Sequence, residues 1–427
     1  MTKRFLMLIL TLTVIVNINA QKSSASPYSF FGIGDENITK TIEEISMGEV
    51  GVSDYSNYQL FLSNPASLAS LRYTTYVLGV ANRALKLDDG TSSDRSSAAA
   101  LSYLALGIPI GENAGLVFGL QPNTNVGYSL LQEFREGDDE LTETNLFYGT
   151  GGTNRLFLGY GRKIHKFVDI GLEGSFVFGL LSNNILNFRE DVQFATQSEI
   201  NSNISGFKLK AGIQYHAPLK KENKDLELQI GATVSVGSNL SNRGSELLYS
   251  SINNSEGVII PRDTILNNSF KGTIKNPFKT TIGIGIGKHY NWNMSLEYAY
   301  QGAFSFNGGP LDNSINIVNY KNASRISLGG YYTPNINSIT SYWEKVTYRG
   351  GLKYRQTGLT VNNTDINEFG MSFGLGLPLS KDLSTINFGV EIGKRGTVDN
   401  GLVKENYFNF RIGLTLNDKW FQKRKIL

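Results

Sequence analysis

The sequence predicts an all-β protein: a transmembrane antiparallel β-barrel of about 14 strands, with an N-terminal hatch segment in its lumen. Three observations support this prediction. Stretches of about ten residues alternate between apolar and polar side chains, and they recur along most of the 427-residue chain. No stretch beyond residue 20 approaches the roughly eighteen apolar residues of a membrane helix. The N-terminus also has the pattern of an export signal.

Residues 1–20 have the pattern of a secretory signal peptide. Lys3 and Arg4 form a basic start, an apolar run follows, and Ala20 is a small residue before the expected cleavage site. The apolar run is too short to span a membrane well. We therefore expect the mature chain to begin near Gln21 and to lie outside the cytoplasm. An uncleaved membrane anchor is the less favoured alternative.

Residues 21–72 do not have the pattern of a strand. The segment is rich in Gly, Ser and Asn, and it is too short and too polar to bury a core by itself. Near its end, Pro65 removes a backbone donor, and Asn64 suits a turn or a helix cap. We expect this segment, here called the hatch, to fold inside a barrel built by residues 73–427. An ordinary loop turn at Asn64 is the alternative.

Residues 73–427 carry the membrane-type alternation. Between Leu226 and Val236, every second residue is apolar, whereas Glu227 and Gln229 lie on the other face. A barrel in lipid needs an apolar outside and a polar inside, and it must close because an open edge leaves unpaired amides. The sequence contains about 14 such segments, at roughly 73–82, 97–109, 113–127, 153–163, 168–180, 204–217, 225–238, 278–288, 291–302, 322–333, 344–356, 366–378, 383–394 and 404–416.

The connections between these segments alternate between short and long. Short turns belong on the periplasmic side and long loops outside, so we expect both termini to be periplasmic. The turn over residues 334–343 departs from this rule, because it is longer than the other periplasmic turns. The long connection over residues 239–277 has room for a short extra hairpin. In the last strand, we expect Phe410, Ile412 and Leu414 to face lipid.

A proline interrupts the third strand. Gln121, Pro122 and Asn123 lie inside this strand, and Pro122 cannot donate to a neighbouring strand. We therefore expect a broken ladder bond or a β-bulge at this point. In a barrel, such a break can open a gap in the wall.

The order of these features resembles the FadL-like family of outer-membrane transporters. The resemblance rests on the signal peptide, on Phe30-Phe31-Gly32-Ile33-Gly34-Asp35, Met47-Gly48 and Asn64-Pro65-Ala66, on the strand count, and on the ending Leu414 to Phe421. The basic tail Lys423-Arg424-Lys425 is similar to tails of Bacteroidetes-type members. Glu49 departs from the pattern, since relatives more often have a small residue there.

The resemblance implies a protein of the Gram-negative outer membrane that takes up long-chain fatty acids or other hydrophobic compounds passively. Its partners would be membrane lipids and a hydrophobic ligand. It implies a lateral gap at Gln121, Pro122 and Asn123. It also implies a hatch that contains Phe30, Phe31, Gly32, Met47, Gly48, Asn64, Pro65 and Ala66. The alternative is a non-transporting FadL-like barrel that serves as a subunit of a larger outer-membrane assembly, such as type 9 secretion, with other outer-membrane proteins as partners.

Basic residues recur on the predicted inner face of the barrel. Two interpretations stay open: these cations hold an acidic head group, or they form a salt-bridge lattice that stiffens the wall. The candidates for head-group binding are Lys208, Lys210, Arg325, Arg349 and Arg411.

Composition argues against other function classes. The chain has no Cys, which excludes disulfides, thiolate metal sites and a Cys nucleophile. Its net charge of +3 gives no case for a nucleic-acid partner. The three histidines lie at predicted turns without nearby catalytic partners. We expect no enzyme activity, no metal and no cofactor.

Overall fold

The computed structural model describes residues 26–137, 140–219, 226–253, 259–310, 318–379 and 383–420. The predicted signal peptide and the basic tail lie outside these ranges. In the described ranges, no helix has the length and apolar character that a membrane crossing requires.

Fourteen antiparallel wall strands close into a barrel, which confirms the predicted fold class. They are β1 (Thr74–Asp88), β2 (Ser93–Ile110), β3 (Ala114–Glu136), β4 (Glu140–His165), β5 (Val168–Arg189), β6 (Ala195–Pro218), β7 (Leu226–Gly237, then Leu240–Asn253), β8 (Ile259–Lys275, then Lys279–Lys288), β9 (Trp292–Gln301, then Ser305–Asn307), β10 (Val318–Tyr320, then Ala323–Tyr332), β11 (Thr347–Val361), β12 (Thr364–Pro378), β13 (Thr385–Arg395) and β14 (Lys404–Asp418). The last strand, β14, pairs with β1 from Asp418↔Thr74 to Lys404↔Asp88, and this pairing closes the sheet.

The two faces of the wall differ as the alternation predicts. In β14, Phe410 and Ile412 are 37% and 39% exposed on the outside, whereas Arg411 between them is 7% exposed and points into the lumen. Leu414 lies on the same outward face. The outside is therefore an apolar band suited to lipid, and the inside is polar.

Strands β3 to β6 are longer than a membrane requires. They contain 23, 26, 22 and 24 residues, whereas about 9–11 residues suffice to span a bilayer. The second segment of β7 and the first segment of β8 also form one long antiparallel pair, from Leu240↔Ile274 to Asn253↔Ile259. The extra hairpin predicted in residues 239–277 is thus present, and it is longer than expected.

The described part of the hatch lies inside the barrel. It contains a 3₁₀ turn (Pro27–Phe30), a two-residue strand (Asp35–Glu36), the one-turn helix α1 (Ile42–Ile45) and a second 3₁₀ turn (Pro65–Ser70). No residue from 26 to 73 is exposed. A core cluster joins the hatch to the wall; its members are Ile42, Leu60, Leu62, Leu68, Val77, Tyr103, Ala105, Val117 and Phe157. The hatch therefore forms part of the core of the barrel.

The hatch runs along the length of the lumen. At the end with the long loops, Ser26 donates a hydrogen bond to Glu405, and the Tyr28 hydroxyl donates to the Val403 carbonyl at 2.6 Å. At the end with the short turns, Tyr55 stacks on His216 with ring centroids 4.4 Å apart. The described chain thus begins at the loop end and not at the expected periplasmic end. The lengths of the turns predict the direction of the wall strands, but they do not predict at which end of the barrel the hatch begins.

Candidate functional site

The ladder between β2 and β3 stops part-way along the wall. The two strands pair from Ile110↔Ala114 to Leu104↔Leu120, and no pairing follows. Strand β2 nevertheless continues beside β1 up to Ser93↔Asp88. This leaves an opening in the wall, here called the window, between residues 93–103 of β2 and the part of β3 beyond Leu120.

Pro122 lies at the edge of the window. It comes two residues after the last β2–β3 pair, and the β3–β4 register shifts between Pro122 and Thr124, so that Asn123 forms a bulge. The Asn123 amide donates to Thr153 Oγ1 at 2.9 Å, and the Gln121 Oε1 atom accepts from Arg155 Nη2 at 2.6 Å. A bulge at this proline was predicted from the sequence, and its side chains are held by β4.

The hatch covers the β3 side of the window. Asp35 and Glu36 of the hatch pair with Asn125 and Thr124 of β3 in an antiparallel bridge. The next residue of the hatch, Asn37, donates its backbone N–H to the Asn123 carbonyl at 3.0 Å. Over these residues, the hatch takes the place that β2 would occupy in a regular barrel.

A cavity of about 210 Å³ lies behind the window and is here called the window cavity. Ala98, Ala100 and Pro122 line it beside the opening. Deeper in the barrel its lining is mixed, with aromatic side chains beside charged ones; these include Phe31, Phe304, Phe306, Tyr320, Asp35, Arg83, Lys353 and Arg395. The cavity thus connects an apolar entrance to a lumen with several charges.

A second cavity of about 160 Å³ lies next to it and is here called the inner cavity. Glu36, Asn37 and Ile38 of the hatch, with Gln301 and Arg355 of the wall, line both cavities. The lining of the inner cavity is rich in cations, which are Lys40, Arg155, Lys208, Lys210, Lys279, Arg325 and Arg355. Its carboxylates are only Glu36, Glu49 and Glu173.

Four of the five predicted head-group residues already have partners. Lys210 forms an ion pair with Glu173 at 3.1 Å. Arg411 forms one with Glu391 at 2.7 Å. The remaining two are Arg325, paired with Glu49 and Glu297, and Arg349, which donates to Asn387 at 3.0 Å. For Lys210, Arg325 and Arg411, the arrangement corresponds to a salt-bridge lattice.

Lys208 and Lys279 differ from the three ion-paired residues. The Lys208 Nζ atom lies 3.3 Å from the amide oxygen of Asn123, and it has no carboxylate within 4.0 Å in the described chain. Lys279 was missed from the sequence; it begins the second segment of β8 and faces the same cavity. Its position two residues before Thr281, which also lines the cavity, is the alternation signal that places it inside.

Comparison with solved structures identifies the fold. A toluene transporter, TodX of P. putida, is 16% identical, covers 90% of this chain and 99% of its own, and superimposes with a TM-score of 0.58. CymD, a monoaromatic hydrocarbon channel, is 14% identical, covers 92% of this chain and 100% of its own, and superimposes with a TM-score of 0.57. A FadL homologue of Pseudomonas aeruginosa is 11% identical, covers 91% of this chain and 100% of its own, and superimposes with a TM-score of 0.56. The barrel therefore has the FadL-type fold.

Sequence comparison identifies the family. No curated protein matches the chain. The family model for BamG matches residues 1–426. The chain belongs to the BamG family.

Glu49 holds the hatch of this BamG-family barrel in place. Its carboxylate accepts hydrogen bonds from Arg325 and, at 2.7 Å, from Lys353. The Glu49 backbone carbonyl accepts from Lys40 at 2.5 Å. Although burial alone would raise it, Lys353 and Arg325 hold the pKa of Glu49 well below its usual range. The residue that departs from the FadL-like pattern is thus an ionic anchor.

Glu297 of β9 forms the matching anchor on the wall. It accepts from Lys40 at 2.7 Å and from the backbone N–H groups of Gly51 and Val52, each at 3.0 Å. It also accepts from Arg325 at 2.5 Å. The two glutamates therefore connect the hatch to β9, β10 and β11 through one buried network.

The predicted hatch residues contact the wall at several heights. Phe30 packs edge-on against Tyr128 with ring centroids 5.1 Å apart. Gly48 donates its N–H to Ser372 at 2.7 Å. Asn64 caps the second 3₁₀ turn through the Ala66 N–H at 3.0 Å. Phe31 and Gly32 line the window cavity, and Met47 and Pro65 are buried.

Inner-face glycines make room for this packing. A Cβ atom added at Gly351 would lie 2.2 Å from the Met47 carbonyl carbon. One added at Gly171 would lie 2.3 Å from the carbonyl carbon of Pro65. Any larger residue at these positions would displace the hatch backbone.

Two of the three histidines contact the hatch and do not project freely from turns. Tyr55 stacks on His216 and on His289, with ring centroids 4.4 Å and 5.1 Å apart. The Tyr55 hydroxyl donates to Glu227 at 2.5 Å. This aromatic group lies in the lumen at the end with the short turns. His165 is exposed, as expected for a turn residue.

Proposed function

We propose that this BamG-family barrel is a passive transporter in the outer membrane of a Gram-negative bacterium, and that it takes up long-chain fatty acids or other hydrophobic compounds through the window. The observation that carries this proposal is the end of the β2–β3 ladder at Leu104↔Leu120, directly beside the window cavity. A hydrophobic molecule that leaves the lumen there would enter lipid without crossing water.

The packing of the hatch supports a sideways route over an axial one. No residue from 26 to 73 is exposed, and the hatch is tied to the wall by Glu49 and Glu297. Removing one partner from a buried ion pair costs about 3–5 kcal/mol. Passage along the axis would require several such contacts to break, whereas the window is already open in the wall.

The unpaired lysines support an acidic head group for the ligand. Lys208 and Lys279 face the inner cavity, and the acidic neighbour that they share, Glu36, already accepts from Arg355 at 3.2 Å and from Gln301 at 2.9 Å. A carboxylate in this cavity would gain two ammonium partners. Its alkyl chain would extend into the adjoining window cavity. The names of the similar channels, which refer to toluene and monoaromatic hydrocarbons, support hydrophobic cargo in general.

Uptake of a labelled long-chain fatty acid tests the proposal. Cells that carry the wild-type chain should take up the label faster than cells without the chain. The Pro122→Val variant restores the backbone N–H that is missing beside the window, and we expect it to reduce uptake at least about tenfold. The control is Pro109→Val. Pro109 is paired with Gly115 outside the window, so this change should leave uptake unaffected. Equal uptake with and without the wild-type chain would contradict the proposal.

Toluene uptake separates the head group from the alkyl chain. Replacing Lys208 and Lys279 with Gln should weaken uptake of the fatty acid and leave toluene uptake unchanged. Replacing Lys86 with Gln is the matched control, since this lysine is exposed and lines neither cavity. Equal loss of fatty-acid uptake and toluene uptake would contradict the proposed binding of the head group by Lys208 and Lys279.

A second function is favoured by the strength of the hatch anchors. The barrel would then be a non-transporting subunit of a larger outer-membrane assembly, such as type 9 secretion. The buried Glu49–Arg325–Glu297–Lys40 network suits a fixed hatch better than a moving one. Purification from outer membranes distinguishes the two functions. A stable stoichiometric partner together with absent uptake supports the subunit, and a lipid in the lumen together with uptake supports the transporter. The Bacteroidetes-type origin remains a prediction.

A further inference from the structure

Strand β2 has a free edge on the window side. From Ser93 to Tyr103 it pairs with β1, and no strand in the described chain pairs with its other side. No backbone hydrogen bond from a loop or from the hatch reaches these residues within the described ranges. In the described chain, this side of the strand has no backbone partner from another strand, a loop or the hatch; the Arg95 N–H donates to the side chain of its neighbour Asp94 at 2.7 Å.

The two sides of the window are not equivalent. The β3 side is covered by Asp35, Glu36 and Asn37 of the hatch. The hatch thus pairs with the β3 edge from Asn123 to Asn125, whereas it forms no backbone hydrogen bond with the β2 edge in the described chain. A barrel that only needed to close its wall would have both edges covered.

Part of the free edge lies at the level of lipid. Leu101 is exposed on the outer face, in the same strand as the lipid-facing residues Leu104 and Ile110. An unpaired backbone group in hydrocarbon costs several kcal/mol. An acyl chain or an aromatic hydrocarbon cannot hydrogen-bond to this edge, whereas another polypeptide strand can.

The side chains along the edge allow close approach. Five consecutive residues are small: Ser96, Ser97, Ala98, Ala99 and Ala100. Such residues are weak strand formers, and they offer no pockets that would select particular side chains. The edge is therefore suited to recognition through the backbone.

We propose that the β2 edge from Ser93 to Tyr103 binds an extended segment of another outer-membrane protein, which adds to the wall as an antiparallel strand. The segment would alternate between apolar and polar residues, because one of its faces would contact lipid. A second copy of this chain does not fit. A two-fold axis along the membrane normal would make the two tilted β2 edges cross.

Strand binding does not depend on uptake. A bound strand would fill the window, so that uptake and strand binding would exclude each other in one barrel. Either one can be present without the other, and separate measurements test them.

Site-specific photocrosslinking in native outer membranes tests the proposal. A photoreactive amino acid is placed at Ser97, Ala99 or Leu101, and the adducts are identified by mass spectrometry. Ile282 and Ile284, which face lipid on the opposite wall, are the controls. We expect adducts to one polypeptide segment. The residues of that segment that crosslink to the three positions should lie about two residues apart in its sequence. The controls should yield lipid adducts only.

Other adducts would overturn the proposal. Lipid adducts alone at all positions would show that the edge is covered by lipid. Adducts to a second copy of the chain would show self-association. Protein adducts without regular spacing would show proximity and no strand pairing.

A pair of proline variants tests the hydrogen bonds directly. In an antiparallel ladder, neighbouring residues direct their N–H groups to opposite sides. Of Ala99→Pro and Ala100→Pro, one therefore breaks a bond to β1, and the other removes a donor from the free edge only. In the variant that still forms a heat-modifiable barrel, crosslinking from position 97 should fall at least about tenfold. Full crosslinking in that variant would contradict strand binding.

Discussion

At the scale of single residues, the account depends most on the ionic anchor at Glu49. Its carboxylate is buried between Arg325 and Lys353, and its backbone lies in the left-handed region at a φ of 67°. Glu49→Gln would take one carboxylate from two buried cations, although Arg325 would keep Glu297 and Lys353 would keep Glu368 and Glu391. We expect the hatch to lose about 1.5–3 kcal/mol of stability, the cost of losing hydrogen bonds between charged groups, measured by hydrogen exchange of hatch amides.

A surface ion pair provides the control for this variant. Lys321 and Asp365 are 2.8 Å apart, and both side chains are more than half exposed. Asp365→Asn should change stability by at most about 1 kcal/mol. If Glu49→Gln changes hatch exchange no more than this control, the anchor role of Glu49 is wrong.

Asp54 gives the hatch a pH dependence. Burial, together with Glu297 and Glu44, raises the pKa of Asp54 to about 6. The folded state therefore holds this proton more tightly than the unfolded state, in which Asp titrates near pH 4. The stability contributed by the protonated form is complete below about pH 4 and is lost as the pH rises to about 6.

Asp54→Asn should remove this dependence. The difference between pH 4 and pH 7 corresponds to about 3 kcal/mol, because one pKa unit is about 1.4 kcal/mol. Hydrogen exchange of hatch amides across this range measures it in both proteins. An equal pH slope in both would show that another group titrates.

At the scale of elements, β14 tests which face of the wall meets lipid. Ile412 is outward-facing near the middle of the strand, and Asn406 is outward-facing near its loop end. Arg at position 412 should cost about 2–4 kcal/mol, and Arg at position 406 about 0–1 kcal/mol. Heat modifiability and urea unfolding of the folded barrel measure both. A larger cost at position 406 would contradict the placement of the membrane.

Alternation in the sequence was enough to predict the wall strands. Each predicted segment lies within one wall strand or overlaps it, because inward polar and outward apolar residues follow directly from lipid outside and water inside. The upper parts of β3 to β8 were underestimated. They exceed the roughly 9–11 residues that span a bilayer, so lipid need not impose an apolar outer face on them, and their alternation is correspondingly weaker.

The hatch and the lumen were harder to predict, because their contacts are distant in sequence. Arg325 and Lys208 look alike in the sequence, yet the first pairs with Glu49 of the hatch and the second has no carboxylate partner. Alternation places a residue on a face and does not tell which charge lies opposite. The proline at position 122 was informative because its effect on the ladder is local.

At the scale of the whole molecule, the direction of the barrel can be tested by labelling. Asn363 lies in the β11–β12 connection at the loop end, and Asn337 lies in the long turn after β10 at the other end; both are exposed. Cys at position 363 should react with an impermeant thiol reagent on intact cells, and Cys at position 337 should not. The reverse labelling pattern would show that the barrel has the opposite orientation in the membrane.

The most direct test of the lateral route uses two neighbouring alanines of β2. Ala100 lines the window cavity, whereas Ala99 faces outward. Uptake of a labelled long-chain fatty acid is measured for Ala100→Trp and Ala99→Trp, after heat modifiability has shown that both barrels fold. We expect Ala100→Trp to reduce uptake at least about tenfold and Ala99→Trp to retain wild-type uptake. Wild-type uptake in folded Ala100→Trp would contradict passage through the window.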